Sequence, residues 1–507
     1  MTVINPNSIS GITSITLPSG DGNVLTIHTN DGVERFRIDS TGNVKVGTAA
    51  TISPDGDLFV TGVTTATTFT GAHSGSGANL TSLPAAQLTG ALPAISGANL
   101  TGIAATDNVR TGILDVAGIA TFRNNVNVGT AVTITESGIE ATGVGITVAN
   151  INGGQVGGRR NLVINGAMQV AQRGTSSTST GFQTCDRWRV KTVGTDNLAM
   201  TISQDATSYP ADFKQCLKID ITTAETALAS DEYLQVQQKI EAQNLGHINN
   251  GTSDAKSLVL SFYVKAYQAG NYVVAVYKED NTARIITLPY TINASATWER
   301  KVLVIPGDTS GGGIDSNNGV GINLDWFLAA GSDYTSSDTT SWGNHTNAGY
   351  AYGQSVNTMS STDNYWQITG VQLEVGSEAT AFEHRSFGEE LDLCYRYYQR
   401  YTADGNSYRY LCMGSMDNDS NVGQFYMQFL KPFRSAVSTM DTTGTAGDYA
   451  MRRDSTQTCT SVPALYATTT HSAYITFTVS GVGWATGDAL SAVFKSSSSY
   501  LGFSAEL

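Results

Sequence analysis

The stretch NLVINGAMQVAQRG at residues 161–174, followed by CDRW at residues 185–188, marks the main change of composition along this 507-residue chain. Before it, the sequence is rich in glycine, threonine and other small residues and poor in large hydrophobic side chains. After it, aromatic and β-branched residues recur in short alternating runs, which predict strands that can bury one face. We therefore expect extended, repetitive structure to give way to independently folded β-domains near residue 160.

The composition is typical of a β-rich, turn-dense protein. Charged residues make up only 14% of the chain and glycine occurs 53 times, a balance that does not suit a helical bundle. The formal net charge is −14 and no cluster of Lys and Arg interrupts it. Binding to phosphate backbones needs dense positive charge, so nucleic acid is not an expected partner.

Cysteine use and hydropathy bear on where the protein is assembled. The first residues, MTVINPNSISG, lack the basic and apolar parts of a secretory signal, and no apolar run is long enough to span a bilayer. We therefore expect neither signal-dependent secretion nor membrane insertion. The five cysteines share no metal-finger spacing and are interpreted as reduced, mostly buried thiols of a protein assembled in a reducing cytosol; they are Cys185, Cys216, Cys394, Cys412 and Cys459.

The leader contains internal repeats. GNVKVGTAATIS at residues 42–53 returns as NNVNVGTAVTIT at residues 124–135, and SGANLT occurs at residues 76–81 and 96–101. Such short units cannot each bury an apolar face alone, so they must stack on neighbours or on copies from other chains. The sequence predicts an intertwined β shaft shared by three chains. The alternative is a disordered linker, which Pro84, Pro93 and their small neighbours favour locally.

Residues 161–385 predict a jelly-roll-like antiparallel β-sandwich, because many short strands with glycine-rich turns occur with little helix. Trp326 alternates with other apolar residues and is expected in the core. Gly370, inside the closing strand WQITGVQLEVGS at residues 366–377, indicates a β-bulge. Asp186 and Arg187 are expected to form a structural ion pair.

The segment SFGEELDLCYRYYQRY at residues 386–401 predicts a helix, with Ser386 and Glu389 forming a capping box. Its apolar residues are spaced alternately four and three apart, as in a heptad seam: Phe387, Leu391, Cys394, Tyr398 and Tyr401. This face can line a trimer axis, or it can pack on the chain's own sandwich. Residues 403–507 again show strand patterns and predict a second, smaller β domain.

The loop at residues 333–365 has the chemistry that sugar recognition needs. Flat aromatic faces pack on the apolar side of a sugar ring, while amide and carboxylate groups bind hydroxyls, and polar loops with large aromatics often carry function. The alternative is that these side chains pack against the sandwich or a neighbouring subunit. The candidate glycan contacts are Trp342, Asn344, His345, Tyr350 and Tyr352.

The acidic pairs do not indicate catalysis. Glu389 is accounted for by helix capping. The DNDSN segment at residues 417–421 begins like a calcium loop but has Val422 where the turn glycine belongs and Gln428 where the bidentate glutamate belongs. We therefore expect no catalytic residue, no metal site and no cofactor, and the chain is not expected to be an enzyme.

Two motifs and the leader resemble bacteriophage fibre proteins. The stretch at 161–174 resembles the opening of the large distal module of tail-fibre proteins, and the closing text at 366–377 with FEHRSFGEEL at 382–391 resembles its end. ERFRIDSTGNVKVGT at residues 34–48 is similar to leader segments of virion proteins from phages of marine cyanobacteria. The closing strand is also similar to the final strand of carbohydrate-binding jelly-roll modules, a likeness of fold alone.

The resemblance implies a homotrimeric tail fibre, assembled in the host cytoplasm, that binds other virion proteins through its N-terminus and host polysaccharide or lipopolysaccharide through its C-terminal half. A neck or baseplate fibre without a receptor is one alternative. A polysaccharide depolymerase is another. The implied mainly β parts are an attachment segment (1–20), a repetitive shaft (21–160), the sandwich (161–385), a helical connector on the trimer axis (386–402) and a β tip (403–507).

Overall fold

A computed structural model of the chain describes residues 24–29, 31–68, 70, 159–419 and 421–507, together with the backbone of three short strands between residues 126 and 141. The chain divides into two compact units, Met1–Ala120 and Thr121–Leu507. The predicted attachment segment and both SGANLT repeats lie outside the described residues.

The described part of the first unit is a five-stranded antiparallel sheet in sequence order. Several large apolar side chains of this sheet are exposed, including Ile27, Leu58 and Phe59, the last with 61% of its surface accessible. Exposed apolar groups on so small a sheet favour further association, but the trimer stays a prediction. The strands are β1 (Leu25–His28), β2 (Glu34–Ile38), β3 (Val44–Val46), β4 (Ala50–Ile52) and β5 (Leu58–Val60).

The repeated leader motif forms the same hairpin twice. In the first copy β3 pairs with β4, so that Val46 lies opposite Ala50. In the second copy β6 (Val126–Val128) pairs with β7 (Val132–Thr135), and β8 (Gly138–Ala141) completes a three-stranded sheet. The β structure predicted from the repeat is therefore confirmed for both copies.

Residues 161–385 form two six-stranded antiparallel sheets, which confirms the predicted sandwich. The front sheet has the order β10-β13-β18-β15-β16-β19, and the back sheet has the order β17-β14-β20-β12-β11-β9. The short helix α1 (Ser332–Thr335) follows β18. The strands are β9 (Ser176–Ser177), β10 (Arg189–Val193), β11 (Ala199–Asp205), β12 (Cys216–Thr223), β13 (Tyr233–Glu241), β14 (Leu258–Ala266), β15 (Gly270–Lys278), β16 (Arg284–Ile292), β17 (Glu299–Ile305), β18 (Val320–Ala330), β19 (Gly343–Asn344) and β20 (Tyr365–Val375).

The core lies between the two sheets. Trp188 and Trp326 meet there with ring centroids 5.4 Å apart, and Trp326 has no accessible surface, as its alternation predicted. Where β14 pairs with β20, Ser261 lies opposite Gln372 but Tyr263 lies opposite Thr369. That shift of register places an extra residue at Gly370 and confirms the predicted bulge.

Hydrogen bonds explain why the opening stretch and the closing strand belong together. The Asn165 side chain forms hydrogen bonds with both the backbone N–H and the backbone carbonyl of Val170. The backbone carbonyl of Asn165 accepts the indole N–H of Trp188 at 3.0 Å. The Asn161 amide donates to the carbonyl of Val371 in β20 at 3.0 Å. The first turn of the sandwich is thus held by the last strand.

The helix is shorter than predicted. Helix α2 (Phe387–Cys394) has the predicted Ser386/Glu389 capping box, but the chain then extends into β21 (Tyr398–Thr402). Helical geometry ends because Tyr398–Thr402 pairs with the strand Tyr500–Ser504, so tertiary pairing outweighs local helix propensity. The predicted heptad seam is therefore wrong in its second half, and 386–402 is not one continuous helix.

The C-terminal module contains a three-stranded sheet, β21-β30-β24, and a seven-stranded sheet, β26-β25-β29-β22-β23-β28-β27. Its separate hydrophobic core includes Phe425, Tyr449 and Phe477, which agrees with the predicted second β domain. The strands are β22 (Arg409–Met416), β23 (Val422–Gln428), β24 (Thr439–Thr442), β25 (Tyr449–Arg452), β26 (Thr456–Thr458), β27 (Ala464–Thr468), β28 (Ser472–Thr478), β29 (Ala489–Phe494) and β30 (Tyr500–Ser504).

Buried charges join the sandwich to the C-terminal module. The Arg187 guanidinium pairs with Glu506, donates to the carbonyl of Lys239 at 2.8 Å, and lies 3.5 Å from the ring centroid of Tyr397. Arg173 adds a second contact to Glu506 at 3.3 Å. Arg187 has only 1% of its side chain exposed, so this interface excludes water from the pair.

The predicted ion pair between Asp186 and Arg187 does not form. Instead, Asp186 accepts the backbone N–H of Gln172 at 2.9 Å. Neighbouring residues of an irregular segment point in different directions, and Arg187 has a positive φ of 73° that turns it towards the C-terminal module. Within the described residues, no helix has the length and hydropathy that crossing a membrane would require.

Candidate functional site

The outer face of the front sheet is polar although its strands are mostly buried. In β13, Leu234, Val236 and Ile240 belong to the sandwich core, so Gln235, Gln237 and Lys239 point to the opposite side because strand side chains alternate. The same alternation in β10 and β18 places a matching polar set on this side of the sheet, where Asn323 and Asp325 are buried and Arg189 and Lys191 are half-buried. We call this surface the polar sheet face and define it by Arg189, Lys191, Gln235, Gln237, Lys239, Tyr277, Asn323 and Asp325.

Strand register brings these residues into contact. In one row across the sheet, Arg189 lies opposite Gln237, and Gln237 lies opposite Asp325. In the next rows, Lys191 lies opposite Gln235 and Lys239 opposite Asn323. Directly opposed side chains in an antiparallel pair have Cβ atoms only about 5 Å apart. The face is therefore one continuous surface, not a set of isolated polar groups.

Asp325 occupies the centre of the polar sheet face. Its carboxylate has no accessible surface and accepts the Gln237 amide at 2.7 Å and the Tyr350 hydroxyl at 2.8 Å. Burial raises the pKa of Asp325 to about 6, although these two hydrogen bonds and the nearby charges of Lys191 and Lys239 act in the opposite direction. A carboxylate is thus held in a largely dry site by one amide and one phenol.

Several buried amide atoms around Asp325 have no hydrogen-bond partner among the residues that the structure describes. They are both polar atoms of the Gln235 side chain, the Gln237 oxygen and the Asn323 oxygen. Gln235 lies beside the Tyr350 hydroxyl without a hydrogen bond of normal geometry. Leaving a buried polar group unpaired costs about 1–3 kcal/mol each, and such groups in native proteins usually bind water or a ligand.

Aromatic side chains line the same face. The Tyr350 ring packs on Phe327 with centroids 5.0 Å apart, and His345 lies 4.6 Å from Tyr277 and 5.3 Å from Tyr350. Burial lowers the pKa of His345, so its imidazole is neutral at neutral pH. At the end of this group of aromatic residues, Tyr233 packs edge to face on Tyr334, with ring centroids 5.0 Å apart.

The structure brings only part of the predicted site together. His345 and Tyr350 border the polar sheet face, whereas Trp342 and Asn344 lie at the other edge of the front sheet. There the Trp342 indole donates to the carbonyl of Pro306 at 2.6 Å and its ring packs on the sandwich core. The Asn344 side chain accepts from Arg284 at 3.3 Å. Tyr352 is half-buried. Direct glycan contact by these five residues stays a prediction.

Sequence reasoning missed the centre of the site. In β13, the run QVQQK at residues 235–239 places amides and a lysine inside an apolar alternation, and β18 repeats this with Asn323 and Asp325. The inward positions, such as Trp326, were recognised as core. The polar outward positions of the same strands were the available signal, because uncharged amides that recur in register on buried strands need hydrogen-bond partners.

Other surfaces of the described residues also carry aromatic side chains, and two of them are candidates for binding. A cavity of about 610 Å³ on the outer face of the back sheet is lined by Phe213, Tyr263 and His384, among others. In the C-terminal module, Tyr410 and Tyr426 expose 60% and 48% of their surface. Neither surface combines aromatic rings with unpaired buried amides as the polar sheet face does.

The chain matches no protein-family model and no curated protein. Among solved structures it is similar to a sugar-binding protein of Bacteroides thetaiotaomicron, at 16% identity and a TM-score of 0.24, over 43% of this chain and 100% of that one. It is also similar to the CBM22-2 xylan-binding domain of Paenibacillus barcinonensis, at 14% identity and a TM-score of 0.22, over 39% and 97%. A third is the family 11 carbohydrate-binding module of Clostridium thermocellum, at 11% identity and a TM-score of 0.20, over 42% and 98%.

The solved structures similar to this chain thus include carbohydrate-binding modules. At these identities and TM-scores the likeness carries no inference about what this chain binds.

Proposed function

We propose that the chain is a non-enzymatic structural fibre of a bacteriophage virion, and that it binds a host-surface glycan on the polar sheet face. The observation that carries the binding site is the set of buried, unpaired amide atoms on Gln235, Gln237 and Asn323 around Asp325. Sugar hydroxyls both donate and accept hydrogen bonds, as side-chain amides do. A sugar therefore satisfies these atoms better than a purely apolar ligand.

The aromatic residues beside the amides support a sugar over other polar ligands. A sugar ring has an apolar face of C–H groups, which packs on tyrosine while its hydroxyls reach the polar groups around it. On the polar sheet face, Tyr277 and Tyr350 lie 6.1 Å apart between centroids, next to Asp325 and Asn323. Flat rings and in-register amides occupy one surface, which is the combination that a pyranose needs.

The fibre assignment is supported by the leader and the bracketing motifs. The resemblance of residues 161–174 and 366–391 to tail-fibre modules provides the virion context. The five-stranded leader sheet, with exposed apolar residues such as Phe59, favours association with further copies, and we propose a homotrimer attached to the particle through residues 1–20. Light scattering of the full chain tests this; a stable monomer would contradict the trimer.

The carboxylates of the site support binding without cleavage. Glycoside hydrolysis needs two carboxylates free to act across the scissile bond. Asp325 is hydrogen-bonded by Gln237 and Tyr350, and the nearby Glu279 accepts the Asn323 amide at 2.7 Å. Both carboxylates are thus occupied in positioning amides.

Binding of the purified full chain to immobilised host polysaccharides and lipopolysaccharides tests the proposal. Gln237→Ala and Asn323→Ala each remove a group that would bind a sugar hydroxyl, so affinity should fall about tenfold, the equivalent of roughly 1.4 kcal/mol. Gln457→Ala, an amide on a strand of the C-terminal module, is the control and should bind as the unchanged protein does. Circular dichroism establishes that each variant is folded.

The outcomes separate the alternatives. Folded variants with unchanged affinity would place the glycan elsewhere, for example on the Tyr410 surface. Binding to no carbohydrate would favour a neck or baseplate fibre without a receptor. Release of reducing ends from host polysaccharide would indicate a depolymerase.

A further inference from the structure

The edge of the polar sheet face is basic although the chain as a whole is acidic. Arg189 and Lys191 lie two residues apart on β10, and both face outward because Val190 between them belongs to the core. Lys239 on the neighbouring strand adds a third cation. The chain carries a net charge of −14, so three cations on one small surface are a local exception.

The two nearby carboxylates, Glu279 and Asp325, already accept hydrogen bonds from other side chains. Glu279 accepts from Asn323 at 2.7 Å and lies 3.9 Å from the Lys239 ammonium group. Asp325 is hydrogen-bonded by Gln237 and Tyr350. Asp325 also lies two strands from Arg189, which corresponds to about 10 Å. In the described part of the chain neither carboxylate forms an ion pair with the cations of β10, although both attract the charge of Lys191 from a greater distance.

Arg189 and Lys191 remain without an ion pair in the part of the chain that the structure describes. Lys191 instead lies over the Tyr233 ring, 5.2 Å from its centroid. Burial and the neighbouring charge of Arg189 lower the pKa of Lys191, although the charges of Asp325 and Glu279 act in the opposite direction. Two half-buried cations that repel each other raise the free energy of the unliganded protein, and an anion between them would lower it.

The buried arginines of the sandwich differ from Arg189 because they form ion pairs. Each of the buried ones has a carboxylate partner: Arg187 pairs with Glu506, Arg284 with Asp308 and Arg385 with Glu390. Burying an arginine is costly unless it is paired, and these three buried arginines of the sandwich follow that rule. An unpaired arginine and lysine beside unpaired amides indicate that the partner comes from the ligand.

We propose that the polar sheet face recognises an anionic glycan, with Arg189 and Lys191 binding a carboxylate or phosphate group on the sugar. This rests on the proposed glycan binding at the same face. Gln237, which lies opposite Arg189, and Asn323 bind hydroxyls of the same or the adjoining sugar. Arginine forms two parallel hydrogen bonds to a carboxylate or phosphate, and lysine adds a further charge-assisted bond.

Titration of the full chain with matched polysaccharides tests this proposal. Polygalacturonate and its fully methyl-esterified form share one backbone and differ in charge, and phosphomannan and mannan provide the same comparison for phosphate. We expect at least about tenfold tighter binding of a charged polymer than of its neutral counterpart. We also expect the difference to shrink as ionic strength rises, because salt screens the attraction.

Variants identify the groups responsible. Arg189→Met and Lys191→Met retain the aliphatic stem and remove the charge, so each should remove most of the preference for the charged polymer. Lys218→Met is a matched control. Its ammonium group lies 5.3 Å from the centroid of the Tyr365 ring, much as Lys191 lies over Tyr233, but on the back sheet and paired with Asp220 at 3.1 Å.

The outcomes distinguish this proposal from glycan binding itself. Equal affinity for charged and neutral polymers, with loss of both in Gln237→Ala, would overturn the anionic preference while retaining a glycan site. A preference that survives in folded Arg189→Met and Lys191→Met proteins would also overturn it. Binding of none of the four polymers, together with none on a host polysaccharide array, would overturn the glycan site. Preference within only one of the two pairs identifies the anion as carboxylate or phosphate.

Discussion

Replacing Glu506 by alanine should loosen the junction between the sandwich and the C-terminal module. Glu506 accepts from Arg187 and Arg173, both of which belong to the sandwich. Arg187 would keep its hydrogen bond to the Lys239 carbonyl and its stacking on Tyr397. It would nevertheless lose its only carboxylate partner among the described residues while only 1% of its side chain reaches solvent.

The magnitude follows from burial. Removing one member of a buried ion pair typically costs about 3–5 kcal/mol, because the remaining charge stays in a dry environment without compensation. An exposed pair contributes only about 0–1 kcal/mol. The pair of Lys431 with Asp392 at 3.1 Å is such a case, with about half of each side chain exposed, and it joins helix α2 to the same C-terminal module. Asp392→Ala is therefore the matched control.

Hydrogen exchange read by mass spectrometry measures the effect where it occurs. Amide protection of β21 and β30 reports local opening of the sheet that lies next to the junction. A loss of 3 kcal/mol corresponds to exchange roughly 100-fold faster, since each 1.4 kcal/mol is a factor of ten. Asp392→Ala should change exchange by less than about fivefold.

A second variant distinguishes the loss of charge compensation from a general loss of folding. Replacing both partners with apolar residues, Arg187→Met with Glu506→Leu, removes the uncompensated charge of Arg187. It should restore most of the protection, because Arg173 still lies 3.9 Å from a second carboxylate, that of Asp441. If Glu506→Ala behaves like the exposed control, the pair is not buried in solution. If the double variant is no better than Glu506→Ala, lost packing and not charge explains the effect. Either result would refute the argument.

Three further changes test particular parts of the sandwich. Gly370→Ala should lower the free energy of unfolding by about 2 kcal/mol in urea denaturation, because Gly370 has a φ of +63° and a Cβ there would lie 2.6 Å from the Phe213 ring. The pKa of Asp325 is about 6 in the folded protein and 3.8 in the unfolded chain. The contribution of this group to the free energy of unfolding is therefore fully present below pH 3.8 and is lost as the pH rises towards 6. Asp325→Asn should flatten that decline, which urea denaturation between pH 4 and 7 measures. Trp342→Phe should cost about 1 kcal/mol in urea denaturation through the lost hydrogen bond to Pro306 and leave glycan affinity unchanged, whereas lost affinity at unchanged stability would support the predicted direct contact.

The features that sequence predicted well are those set by local chemistry. A glycine inside an apolar strand predicted the bulge at Gly370, because few other residues adopt a positive φ there. Ser386 and Glu389 predicted the helix start, since both halves of a capping box lie within one turn. Alternation alone placed Trp326 in the core.

The end of the helix could not be predicted in this way. The tyrosine-rich segment after Cys394 fits a helical period and also suits a strand, because aromatic residues are common in both settings. The choice is made by a partner about a hundred positions away in sequence, where Tyr398 pairs with Ser504 and Thr402 with Tyr500. The sequence around Tyr398 does not indicate that pairing.

The residues at the centre of the candidate site could not be predicted from local sequence either. The aromatic residues of the loop at 333–365 include His345 and Tyr350, which border the site. The central groups, Gln237 and Asp325, lie on strands that were interpreted by their apolar positions only. Their adjacency depends on the register between β13 and β18, which no single stretch of sequence specifies.

One strand links the candidate site to the C-terminal module. β13 carries Gln235, Gln237 and Lys239 outward, and the carbonyl of Lys239 accepts the hydrogen bond from Arg187. Two residues further along, Glu241 has no accessible surface and binds Arg396 through both oxygens, at 2.8 and 3.0 Å. A strand clamped at this end by two arginine contacts has little freedom to shift in register, and a one-residue shift would turn every site residue towards the core. The junction therefore preserves the order of the amides on which the proposed glycan site depends. The Arg187→Met protein, which loses the hydrogen bond to the Lys239 carbonyl, should bind glycan more weakly in the same polysaccharide-binding assay, although Arg187 is not one of the residues of the polar sheet face.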